Sequence, residues 1–107
     1  MKNILFICSR NQWRSPTAEK IYSKDDRVNV RSAGTSPSAR KTVNIKDIEW
    51  AELIFVMEHK HKERLKSTFS RQLQYKKIIV LDIPDEYRHM DEKLIELLRI
   101  SVEGYLI

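Results

Sequence analysis

Three unbroken apolar runs constrain the fold more than any other feature: Ile4 to Cys8, Leu53 to Met57 and Ile78 to Leu81. Each is far too short to cross a membrane. None shows the in–out alternation of a half-exposed strand, so short runs of Ile, Val, Leu and Phe read as strands buried on both faces, as in a parallel sheet. Val28-Asn29-Val30-Arg31-Ser32 alternates instead and suits a strand less covered on one side. Helix-like segments lie between the runs. The first begins at Ser15-Pro16, with Pro16 at the first helical position, and carries Ala18, Ile21 and Tyr22 as its apolar face. A short helix is predicted from about Asn44 to Trp50, with Val43, Ile48 and Ala51 available for packing. A third, Glu58 to about Phe69, keeps His61, Leu65 and Phe69 on one stripe amid Lys60, Lys62, Arg64 and Lys66, which read as a solvated face. The last starts at Asp91, a good N-cap, and places Leu94, Leu97, Leu98, Ser101 and Tyr105 at helical spacing. Strand and helix alternating four times is the pattern of an α/β doubly wound sandwich, with a four-stranded parallel sheet flanked by helices. In such sheets ligands bind beyond the carboxyl ends of the strands, where Cys8, Ser32, Met57 and Asp82 fall.

The 107 residues make one domain, 1–107, with no repeat, low-complexity tract or linker. Hydrophobic residues at 41% and charged residues at 33% fit a soluble globular chain. The single cysteine cannot form an internal disulfide, and no cysteine cluster suggests zinc. Met1-Lys2-Asn3 followed by four apolar residues lacks the long apolar stretch of a signal peptide, so the expected compartment is the reducing cytoplasm. The net charge of +5 favours anionic partners, with a merely well-solvated surface as the alternative at so modest a charge. Nucleic acid is not expected, since no aromatic-studded basic stripe or known motif accompanies the charge.

The stretch "ICSRNQWRSPTAE" (Ile7 to Glu19) carries the chemistry. Taken alone, Cys8 is an ordinary small buried hydrophobe. Its place is not ordinary, because the loop from Cys8 to Ser15 joins the first strand to the first helix. There backbone N–H groups converge on an anion, and the positive end of the helix dipole favours a thiolate. Arg14 can close on a phosphate with two parallel hydrogen bonds, and the Ser15 hydroxyl can stabilise the thiolate as a leaving group. Such a loop commonly needs a left-handed position, and in a stretch without glycine Asn11 tolerates it best. A nucleotide P-loop is excluded, since the chain has only Gly34 and Gly104 and no Gly-Lys-Ser/Thr.

"CSRNQWRSPTAE" resembles the active-site loop of the low-molecular-weight protein tyrosine phosphatase superfamily, which reads Cys, five residues, Arg, Ser. "RSAGT" (Arg31 to Thr35), "AELIFVMEHKHKERL" and "IIVLDIPDEY" follow in the order of the family's second strand, third strand with its helix, and fourth strand with its acid loop. The resemblance implies a nucleophile at Cys8 and a phosphate-binding, transition-state-stabilising role for Arg14. It implies a loop that holds phosphate through Ser9, Arg10, Asn11, Gln12, Trp13 and Ser15. Asn11 would keep the loop's shape, helped by Ser32. Trp13 reads either as a wall of the pocket mouth or as core, and Tyr87 as a further wall. Two aspartates compete as general acid. Asp82 falls directly after the strand, whereas Asp85 keeps the family's spacing to an aromatic residue two places on. "CSRNQ" and "LDIPD" also look like the branch that dephosphorylates the tail of RNA polymerase II, whose later aspartate is the acid, which favours Asp85.

The chain departs from the family by a shorter segment between Thr35 and Asn44, and by Pro37 where the family has a histidine that supports the loop asparagine. His59 and His61 are expected on the helix surface with His61 half-buried, and His89 in a solvated loop. Neither metal nor cofactor is implied. The expected activity is hydrolysis of phosphomonoesters, phosphotyrosine in proteins first, through a phosphocysteine intermediate, with a phosphorylated protein or peptide as partner. The alternatives are an arsenate reductase using an external thiol, a phosphoserine phosphatase of the polymerase-tail type, and a non-catalytic phosphoprotein-binding module.

Overall fold

The apolar runs become strands because each feeds two cores. Ile78, Ile79 and Val80, at the edge of the sheet, are only half-buried and not covered on both faces as the sequence indicated. The computed structural model describes residues 1–107 in the order β1 (Lys2–Cys8), α1 (Arg14–Tyr22), β2 (Val28–Gly34), α2 (Ile45–Trp50), β3 (Leu53–Val56), α3 (His59–Phe69), β4 (Lys77–Val80) and α4 (Glu92–Val102), closed by a 3₁₀ turn at Glu103–Tyr105. All strand pairs are parallel, in the spatial order β2-β1-β3-β4. Ile4, Phe6 and Cys8 of β1 pack with Leu53 and Phe55 of β3 against Ala18 and Tyr22 of α1 and Leu94, Leu98 and Val102 of α4. Leu5 and Ile7, with Ile54 and Val56, turn the other way onto Ile48 of α2 and Leu65 of α3. The period of two is present but invisible in the sequence, because both faces are covered. The sheet is doubly wound, as its alternating pattern requires.

Element ends follow local chemistry. Asn44 caps α2 by accepting from the Asp47 N–H, and Asp47 returns the bond from the Asn44 N–H. Asp91 caps α4 through the Lys93 N–H. Helix α1 starts at Arg14, one residue earlier than Ser15-Pro16 indicated, and β2 runs on to Gly34 beyond the alternating stretch. Gly34 is needed for close approach: a Cβ there would lie 2.6 Å from the Ser9 carbonyl oxygen and 3.0 Å from the Asn11 nitrogen. Winding outward from β1, the chain places β2 on one side and β3 on the other. The carboxyl end of β1 is therefore the point where strand order reverses, and a crevice opens there.

Candidate active site

The segment after β1 is shaped by hydrogen bonds on its outer side. The carbonyls of Cys8, Ser9 and Arg10 accept from the N–H groups of Thr35, Ser36 and Arg40 at 3.0, 2.9 and 3.1 Å. Asn11 takes the left-handed conformation, φ 51°. With the carbonyls tied outward, the N–H groups of Ser9 through Trp13 find no acceptor within the protein. A run of such donors with one left-handed residue is a concave anion-binding nest. The short segment between Thr35 and Asn44 thus braces the loop from outside.

A directional chain of bonds leads to the thiol. The Asn11 side-chain amide donates to Ser15 Oγ at 2.9 Å and to Ser32 Oγ at 3.0 Å. The Ser32 hydroxyl in turn donates a hydrogen bond to Glu19 Oε1 at 2.5 Å. Ser15 Oγ lies 3.0 Å from Cys8 Sγ and 3.4 Å from the Ala33 carbonyl. As Asn11 already occupies the Ser15 oxygen as acceptor, the hydroxyl hydrogen is free to point at the sulfur. The loop asparagine, without the family's histidine, is held by these two serines.

Arg14 is buried at the start of α1. Its Nη1 donates to Glu58 Oε2 at 2.5 Å and to the Ile83 carbonyl at 2.8 Å. Its Nε stands 3.7 Å from Asp85 Oδ1. Two of the five guanidinium hydrogens therefore anchor it, and the rest remain for an anion. Burial alone would raise the Glu58 carboxyl, but the hydrogen bond and charge of Arg14, aided by Lys60 and His61, hold it below the usual carboxylate range.

Cys8, Ser9, Arg10, Gln12, Trp13, Arg14 and Asp85 line one cleft of about 180 Å³. That is smaller than the ~300–1,000 Å³ of drug-sized ligand pockets and suits a phosphoryl group with the end of one side chain. Asn11, Ser15 and Ser32 lie buried behind it. Trp13 resolves to the mouth, 36% exposed. Of the two aspartates only Asp85 lines the cleft; Asp82 is exposed, with φ 59°. Tyr87 is not among the lining residues. It lies half-buried against the core cluster that contains Ile83, because an apolar ring gains more there than in water.

His61 corrects the sequence reading. It is 1% exposed, not half-buried. Its Nδ1 accepts from the Glu58 N–H at 3.0 Å, which leaves the proton on Nε2 to be donated to Ser9 Oγ at 2.8 Å. Burial, then the charge of Arg14, pushes its pKa down to about 4, so the ring is neutral. Glu58 and Glu19 also join the site, and the sequence reading assigns neither a role. The available signal for Glu58 was its position just past the carboxyl end of β3.

The family model for low molecular weight phosphotyrosine protein phosphatase matches residues 3–83. The chain belongs to this family. A protein-arginine-phosphatase of Bacillus subtilis (strain 168) is 30% identical, with 64% of each chain covered. The chain thus spans about 64% of the length of that curated relative. Among solved structures, a YwlE mutant from Bacillus subtilis superposes with TM-score 0.70 at 25% identity, over 98% of this chain and 99% of that one. A low molecular weight protein tyrosine phosphatase from Streptococcus pyogenes gives 0.81 at 22% identity, over 99% and 91%. This last likeness shows the fold alone. Within the low molecular weight phosphatase family match lie β1 from Asn3 onward, the nest, Arg14, Glu58 and the loop after β4 as far as Ile83; Asp85 and α4 lie beyond it.

Proposed function

We propose that the protein is a cysteine-dependent protein phosphatase that hydrolyses phosphotyrosine through a phosphocysteine intermediate. The observation that carries this reading is one small cleft in which a thiol, a nest of unpaired N–H donors, an anchored guanidinium and a carboxyl group converge. The Cys8 thiolate attacks phosphorus in line, and the S–P bond forms as the P–O ester bond breaks. Asp85 gives its proton to the departing phenolic oxygen. The nest and Arg14 stabilise the charge on the equatorial oxygens, acting as fixed dipoles that need no reorganisation. In the second step water attacks phosphorus, Asp85 takes its proton, and Cys8 leaves as thiolate with the Ser15 hydroxyl beside it.

A phosphoarginine substrate is the second reading, favoured by the 30% identity to the arginine phosphatase. The Trp13 ring at the mouth can stack on a phenol or on a planar guanidinium. Turnover of phosphotyrosine, phosphoarginine and phosphoserine peptides separates the readings. The phosphotyrosine peptide should be hydrolysed fastest. Cys8→Ser should abolish turnover yet still bind phosphate or vanadate, since the nest and Arg14 remain. Full activity in Cys8→Ser would end the mechanism, and faster phosphoarginine turnover would install the second reading.

A further inference from the structure

Ser9 belongs to two clefts. One is the thiol cleft; the other, of about 270 Å³, runs along the amino end of α3 and is lined by Ser9, Thr35, Ser36, Lys60, His61 and Arg64, together with Pro37. No carboxylate lines this second cleft. Glu63, the one acid within α3, pairs with His59 at 3.2 Å, which leaves Arg64 without a carboxylate partner. Lys60 has only the far contact of 3.9 Å to Glu58, which Arg14 already holds. The Ser9 hydroxyl is set as a donor, because its oxygen accepts from the neutral His61 ring and its hydrogen must go elsewhere. Cations and hydroxyl donors without an acid among them form a complement to an anion.

We propose that this second cleft is an anion subsite that takes an acidic side chain, Asp or Glu, flanking the phosphorylated residue of a protein substrate. The proposal rests on the phosphatase reading above for its partner, and on the charge of the cleft for its chemistry. Sharing Ser9 makes the two clefts contiguous, so a single substrate chain can fill both. Beyond Thr35 and Arg64 the depression continues into a hollow lined by Leu65 and Phe69, which a free ion would not need and a longer peptide can use. Lys60 and Arg64 thereby become specificity residues.

The test is binding of phosphotyrosine peptides to the Cys8→Ser protein, with a single Glu moved through three positions on either side of the phosphotyrosine and compared with Gln. An extended chain advances about 3.3 Å per residue, so this span covers the neighbouring cleft. At one position Glu should tighten Kd about fivefold at low salt, the scale of one or two exposed ion pairs. The gain should fade in high salt and vanish in Lys60→Gln/Arg64→Glu, both exposed positions. Equal Kd for Glu and Gln at every position would overturn the subsite, as would a preference that survives the double substitution. Turnover of a phosphotyrosine peptide without flanking acids by the native protein separately decides the parent reading.

Discussion

The two loops that meet at the cleft are built in opposite ways. The nest after β1 is braced on every side. Its carbonyls are tied to residues 35–40, Asn11 to two serines, Ser9 to His61, and Gly34 passes against it at a distance no side chain permits. The loop from Leu81 to Met90 has no regular structure and few ties. Ile83 is buried and bonds Met57 and Arg14, and the Met90 N–H reaches Thr17 Oγ1. Between these anchors Asp85 remains 58% exposed. The contrast fits the two tasks that the proposed mechanism assigns to them. Charge stabilisation would gain from donors fixed before the reaction, whereas an acid that regains its proton from water each turnover would work from an open rim.

Arg14 joins the two loops, so changing it breaks the comparison most severely. Lys keeps the charge but cannot hold Glu58, the Ile83 carbonyl and a phosphoryl group together. Arg14→Lys should lower kcat/KM by about a hundredfold or more, the scale of one lost preorganised oxyanion donor. Steady-state kinetics with phosphate inhibition checks this, and a near-native rate would show that the guanidinium is not aimed at the phosphoryl group.

The acid loop offers a sharper test. Asp85→Asn should slow phosphotyrosine hydrolysis by about a hundredfold, within the usual range for general acid catalysis. A nitrophenyl ester, whose leaving group needs little protonation, should be slowed much less. Asp82→Asn, outside the cleft, should cost a few-fold at most on both substrates. Four rates decide it, and leaving-group dependence following Asp82 would reverse the assignment.

The smallest effect belongs to the braced side. His61 is neutral in the folded protein, with a pKa near 4, while in the unfolded chain it titrates near 6.5. Between these values the unfolded state binds a proton that the native state refuses, so stability is full above about pH 6.5 and falls as pH drops towards 4. The loss between pH 7 and pH 5 should be about 2 kcal/mol, and His61→Gln should flatten it. Glu58, held below the usual carboxylate range, acts in the same sense only at lower pH. Denaturant unfolding at the two pH values measures the difference; an equal slope in both proteins would mean that His61 is solvated.

Apolar continuity was enough to determine the sheet. Ile4 to Cys8 and Leu53 to Met57 have no polar residue to spare for solvent, so both faces had to be covered. Asn11, in a stretch without glycine, marked where the backbone would turn left-handed, because that preference is local to one residue. The polar partners were another matter. Glu58 meets Arg14 across 44 residues, and His61 meets Ser9 across 52. The lysines around His61 described its helix and not the loop it would touch. Asp82 and Asp85 are three residues apart in an irregular segment, where no periodicity says which one faces the cleft. Periodic pattern and backbone preference are properties of the local chain. Which carboxylate, imidazole or guanidinium finds which partner depends on the strand ends that the crossovers bring together, and only the tertiary structure decided that.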